Sequence, residues 1–202
     1  KNQEDPAEES EINALIDEHK PDGLSYSVVS QPLEALNMLY PSSGAEEDGL
    51  IQPGKMIGKG GLKNVMTFHE NLGRHERGEF VYKETEYGHI FSPDEIGKYS
   101  GKIKAITDSI MNSKGIVLIY SQYIDGGIIP MTLALEELGF VRYKNKSLFK
   151  DAPTPPIDST TMKPITGKDG IPARYALITG DKSLSPDNNE DMKAITSDNN
   201  IN

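Results

Sequence analysis

Six consecutive residues, Gly115-Ile116-Val117-Leu118-Ile119-Tyr120, form an uncharged apolar run between a helical pattern and a loop of small polar residues. A run of that length, rich in β-branched side chains, predicts a central parallel strand covered on both faces. Upstream, Ile103, Ile106 and Ile110 have helical spacing behind Ser100-Gly101-Lys102, which predicts an amphipathic helix from Lys102 to Met111. Downstream, Ser121 to Gly127 leads to a second helix with Pro130 in its first turn and Met131, Ala134, Leu135 and Leu138 facing in. Gly139 supplies the left-handed position that ends it. The unit reads as β-loop-α, and the fold class it implies is α/β, a parallel sheet flanked by helices.

The rest of the chain divides by composition. Residues 1–23 hold Glu4, Asp5, Glu8, Glu9, Glu11, Asp17, Glu18 and Asp22, with only Ile12, Leu15 and Ile16 as sizeable apolar groups. That stretch buries too little to offset its ordering entropy, so a disordered acidic linker is expected. Residues 24–99 read as an accessory segment. Within it, Leu33, Leu36, Leu39 and Tyr40 have helical spacing, with Pro32 in the first turn. A short helix carries Leu62, Val65 and Met66, short strands are expected at Phe80–Lys83 and Gly88–Phe91, and Ser92-Pro93 opens a helical turn. Residues 100–202 carry the main fold. Their pattern is broken at 144–173 by Pro153, Pro155, Pro156, Pro164 and Pro172, which predicts an inserted loop without regular structure. It resumes with a strand from Tyr175 to Thr179 and a helix behind Ser185-Pro186 that turns Met192 and Ile195 inward.

The formal net charge of −10 is concentrated in the first 23 residues. The body is nearly balanced, with Lys98, Lys102, Lys104 and Lys114 around one helix and Arg142, Lys144, Lys146 and Lys150 following the next strand. Local sign governs phosphate contact more than the total does, so nucleic acid stays open as a partner. The absence of Cys excludes disulfides, iron–sulfur clusters and thiolate zinc sites, and fits an intracellular setting. No run approaches the roughly 18 apolar residues of a membrane span, and no membrane partner is expected.

Gly58-Lys59-Gly60-Gly61 invites a phosphate-loop reading but lacks both the glycine spacing and the hydroxyl residue after lysine that magnesium needs. His69, His75 and Glu76 do not have the spacing of metal ligands on one helical face, and solvated loop histidines are the better reading. The chemistry lies after the apolar strands. Ser121 and Gln122 offer a hydroxyl and an amide at a strand's carboxyl end, and Gly126-Gly127 lets backbone N–H groups approach an anion near a helix N-terminus. Thr179-Gly180 repeats the offer from the second strand. Such groups suit phosphodiester oxygens, which are held without regard to base identity. Ser and Gly are also ordinary turn residues, and each loop alone reads better as a turn.

Ser100-Gly101-Lys102-Ile103, the strand ending in Tyr120-Ser121-Gln122, Gly139-Phe140 and the strand ending in Thr179-Gly180-Asp181 together resemble the opening half of the C-terminal RecA-like lobe of superfamily 2 helicases. The wording is similar to Swi/Snf-type translocases and closer to helicase-like proteins of large nucleocytoplasmic DNA viruses, over roughly residues 56–202. The resemblance implies that Ser121, Gln122, Gly126, Gly127, Thr179 and Gly180 hold one strand's phosphates, on DNA or RNA. It implies a parent protein that uses ATP and magnesium with a further N-terminal RecA-like lobe. It also implies a fragment that neither binds ATP well nor hydrolyses it, since no Walker lysine or DEAH-type box is present. For a viral protein, the host cytoplasm, a viral factory or the virion is the expected location. The alternative is a non-catalytic interaction module of a viral transcription or remodelling assembly, docking protein partners through 1–23 and 144–173. A Rossmann-type enzyme lacks its glycine fingerprint and ranks last.

Overall fold

A computed structural model describes residues 26–42, 46–47, 50–69, 79–83, 86–144 and 147–197. The acidic segment 1–23, His75, Glu76 and Lys146 lie outside the described residues. The elements run α1 (Tyr26–Ala35), β1 (Glu46–Glu47), β2 (Leu50–Ile51), a 3-10 turn (Pro53–Lys55), α2 (Gly58–Val65), β3 (Met66–His69), β4 (Glu79–Tyr82), α3 (Ile96–Tyr99) and α4 (Gly101–Asn112). A π turn (Ile124–Ile128) then leads into α5 (Ile129–Glu137), followed by β5 (Val141–Arg142), β6 (Arg174–Tyr175) and α6 (Asn188–Ile195). Helices and short sheets mix, as the α/β reading expects.

Among the described residues the sheets are three two-stranded pairs. β1 with β2 and β3 with β4 are antiparallel, the latter in the register Met66 to Tyr82 and His69 to Glu79. β5 and β6 are parallel, and the N–H groups of Val141 and Tyr143 donate to the carbonyls of Ala173 and Tyr175. The expected central strand is a correction. Gly115 to Tyr120 joins no ladder, and Leu118 and Tyr120 are 91% and 86% exposed. A strand covered on both faces needs neighbours on both edges, and none of the described residues supplies one. The second predicted strand is paired only at Arg174–Tyr175, with Leu177 buried beyond the ladder.

The helix behind the run is better buried than its sequence suggests. Ser100 caps α4 through an N–H···O bond of 2.9 Å from Ile103, and Ile103, Thr107 and Ile110 face the core. Every residue of α5 is buried, including Glu136 and Glu137, so α5 is the central helix of the molecule. Its two carboxylates are held by directed bonds, which buried charge requires. The N–H groups of Leu148 and Phe149 donate to Glu136 at 2.7 and 2.9 Å, together with the Tyr175 hydroxyl. Glu137 accepts from the Tyr82 hydroxyl at 2.6 Å and lies 3.2 Å from His89 Nδ1. Burial raises the Glu136 carboxyl above its ordinary range, and these donors pull against that rise.

Other expectations are refined or overturned. α2 carries Leu62 and Val65 inward as predicted, whereas Met66, expected on the same helix, opens β3. Pro32 sits inside α1 rather than in its first turn, and Leu36 is 67% exposed. Residues 88–91 form no strand, although Ile90 and Phe91 are fully buried in a turn between β4 and α3. On α6, Asp191 is buried and Ile195 half-buried, while Met192, predicted to face inward, is 49% exposed. The insertion is no excursion either. Phe149 bridges to Phe80 of β4, Ile157 pairs with Pro164 and Asp158 with Pro172, and Leu148, Phe149, Ile157 and Ala173 belong to the main core. Its prolines suit isolated bridges, which do not need every N–H.

Candidate nucleic-acid interface

Ser121 follows the exposed run directly and spends its hydroxyl locally. It accepts from the Tyr123 N–H at 3.1 Å and donates to the Tyr123 carbonyl at 3.2 Å, closing a tight turn. Gln122, at the tip of that turn, is exposed. The π turn then buries Gly126 and Gly127. A Cβ at Gly126 would overlap the Glu34 carboxylate of α1, and one at Gly127 would overlap the Ser121 hydroxyl. The two glycines therefore let the chain close against Glu34 and Ser121, and their surroundings are filled by protein.

Glu34 also reaches the start of α2. A Cβ at Gly58, where φ is +49°, would lie 2.6 Å from Glu34 Oε1. One carboxylate thus links α1, the π turn and the N-terminus of α2. Partial burial and the nearby Asp125 push its carboxyl above the ordinary range.

The second loop is a self-contained turn. The Thr179 N–H donates to the Ser185 hydroxyl at 2.8 Å, Thr179 Oγ1 accepts from the Asp181 N–H at 3.1 Å, and Asn188 donates to the Thr179 carbonyl at 2.7 Å. Ser185 is buried as the centre of this turn instead of capping α6, whose N-cap is Asp187. Gly180 at the tip is exposed, with nothing near its α-carbon. The hydroxyl and N–H of Ser183 hold the Asp181 carboxyl below its usual range, and the Lys59 ammonium contributes the same way. Lys59 is exposed on the first turn of α2.

The N-terminus of α2 approaches the first strand-end loop through Gly58 and Glu34. Gln122, Gly180 and Lys59 are exposed.

The predicted basic surface is reduced. Lys98 pairs with Glu95 at 2.7 Å and Lys104 with Asp108 at 2.5 Å, while Lys102 donates to the Asn37 side chain at 2.6 Å. Arg142 is buried and donates to the Leu184 carbonyl, and Lys144 lies 3.8 Å from Glu190. Among the described residues no group of three His, Asp or Glu is disposed to hold a metal ion. None of the described helices is long and apolar enough to cross a membrane. Comparison with protein-family models, with curated proteins and with solved structures finds no match to this chain.

Proposed function

We propose that this chain is part of an ATP-dependent nucleic-acid helicase or translocase, supplying backbone contacts from its second, RecA-like lobe. The observation that carries the reading is the pair of tight turns that expose Gln122 and Gly180 beyond the two apolar segments, with Lys59 exposed on the first turn of α2. A cation, an amide and a bare backbone suit a phosphodiester, which needs charge and donors but no base readout. The parallel β5–β6 pair, reached from the apolar run through α5, accords with a RecA-like sheet. Ser121 and Thr179 act in this reading by shaping the turns, and Gly126 and Gly127 by letting the first loop close.

ATP and magnesium belong to the complete motor, and the residues present do not fit them. Position 60 would have to carry the magnesium-holding hydroxyl, yet a Cβ there would run into the Gly54 carbonyl oxygen. No step through ATP is assigned to these residues.

Titration of labelled single- and double-stranded DNA and RNA at low salt tests the reading. Weak, sequence-independent binding is expected, falling steeply with salt, and Lys59→Ala should reduce the slope of log K against log salt by about 1. Failure of the folded chain to bind any of the four overturns it. The pairing of Lys98, Lys104 and Lys144 within the chain favours the second reading, a non-catalytic interaction module, which the same titration would then support.

A further inference from the structure

We propose, resting on the nucleic-acid reading above, that the bound strand runs along the exposed face of α2, with Lys63 and Lys83 holding its backbone beyond Lys59. Within Gly58–Val65 the residues Gly58, Gly61, Leu62 and Val65 are buried, while Lys59, Gly60 and Lys63 are exposed. Lys59 and Lys63 are four positions apart, so they stand on one side of the helix about 6 Å apart along its axis. Lys83, directly after β4, brings a further ammonium to the C-terminal end of α2. Its backbone N–H donates to the Val65 carbonyl at 2.9 Å and its ammonium to the Lys63 carbonyl. That bond uses one of three ammonium N–H groups and leaves two open. Residues 49–68, which include α2, contain Lys55, Lys59 and Lys63 and no acidic residue. Among the described residues Lys59, Lys63 and Lys83 are in no ion pair, whereas Lys98, Lys104 and Lys144 are.

A nucleic-acid backbone is the occupant because of the charge this face carries and the anchors it lacks. Cations in series suit a polymer with a negative charge at every repeat, and each lysine that neutralises a phosphate releases counterions. Protein partners are held chiefly by aromatic and apolar anchors, and membrane surfaces by an apolar face that enters the lipid. The exposed part of α2 offers neither, since Lys59, Gly60 and Lys63 make it up. Gly60 lets a strand approach the helix between the two lysines without meeting a side chain. Lysine acts here as a point charge on a flexible stem, and no exposed group of α2 reads a base edge, so the contact is independent of sequence.

Titration of the full 202-residue chain with labelled single-stranded and duplex DNA and RNA over a range of salt reads each contact as a slope. Lys63→Gln is expected to lower the slope of log K against log salt by about 0.7–0.9, and Lys63→Gln with Lys83→Gln by about twice that. The single variant leaves the Lys83 bond to the Lys63 carbonyl in place, so its effect is free of any change at that helix end. Arg at both positions should keep the wild-type slope. Lys168→Gln with Lys193→Gln makes the same change in net charge at exposed positions elsewhere and should leave the slope alone. A wild type that binds, with both Gln variants at its slope, overturns the proposal while the nucleic-acid reading stands. A control pair that lowers the slope as far does the same. So does labelled polyglutamate bound as tightly through the same lysines, which would assign the face to an acidic protein. A wild type that binds none of the nucleic acids overturns the reading and the proposal together.

Discussion

Asp158 shows how one exposed side chain can organise a long segment. Its carboxylate accepts the N–H groups of Thr160, Thr161 and Ile171 at 3.0, 2.9 and 3.0 Å, tying the first part of the insertion to its return. Those donors, Thr161 first, hold the carboxyl below the ordinary aspartate value of 3.8. A carboxyl depressed by folding contributes stability that is present above its unfolded value and is lost as pH falls through its folded one. Urea midpoints measured from neutral pH into the acid range should therefore be lower for Asp158→Asn than for the wild type at pH 7. The two curves should converge below about pH 3, where the wild-type carboxyl has also lost its charge. A constant offset across the range would mean that the bonds matter and the charge does not. The sequence gives no hint of this role, because an Asp between Ile157 and Ser159 in a proline-rich stretch reads as solvated polar filler.

At the scale of elements, what was legible was local and what was not depended on partners. The Ser100 cap, α4 with its isoleucine face, α2 and the Gly139 terminator are all fixed by residues a few positions apart, and each lies where the pattern puts it. The Gly115–Tyr120 strand failed as a ladder element because pairing is supplied from elsewhere in the chain or from outside it, and no local pattern reports whether a neighbour is present. α6 misled for a related reason: Asp191 is taken inward by surroundings that spacing does not reveal, which turns Met192 out. For the candidate site the two turns were legible from their residues, but the arrival of Glu34 against the first is tertiary. Gly139 gives the element-scale prediction. Its φ is +93°, and a Cβ there would stand 2.5 Å from the Pro155 carbonyl oxygen and 3.1 Å from Ile157. Asn, which tolerates a left-handed backbone elsewhere, would meet the same carbonyl. Gly139→Ala and Gly139→Asn should each cost about 2 kcal/mol or more in urea unfolding, whereas a purely conformational role would let Asn recover part of the loss.

For the molecule as a whole, the insertion is the piece that joins the hairpin, the central helix and the parallel pair. Phe149 bonds through its N–H to Glu136 of α5, bridges Phe80 of β4, and sets its ring 5.2 Å from that of Tyr82. The Ile157 N–H donates to the Gly139 carbonyl, and the Ile157 carbonyl accepts from the N–H of Ala173, just before β6. Both side chains lie in the single core that also holds Leu133 and Phe91. A segment attached this way transmits its loss to every element it touches, because interiors are close-packed and a deleted ring leaves a cavity that its neighbours fill only in part. Phe149→Ala should therefore destabilise the chain by about 3–5 kcal/mol. It should do so in one transition, with amide-exchange protection falling together in β4, α5 and β5. Lys168→Ala, at an exposed point of the same insertion, should stay within about 0.5 kcal/mol of the wild type. If Phe149→Ala instead loosened only residues 147–173 and left α5 as protected as before, the insertion would be an appendage resting on the core and available to partners, which is the arrangement the interaction-module reading requires.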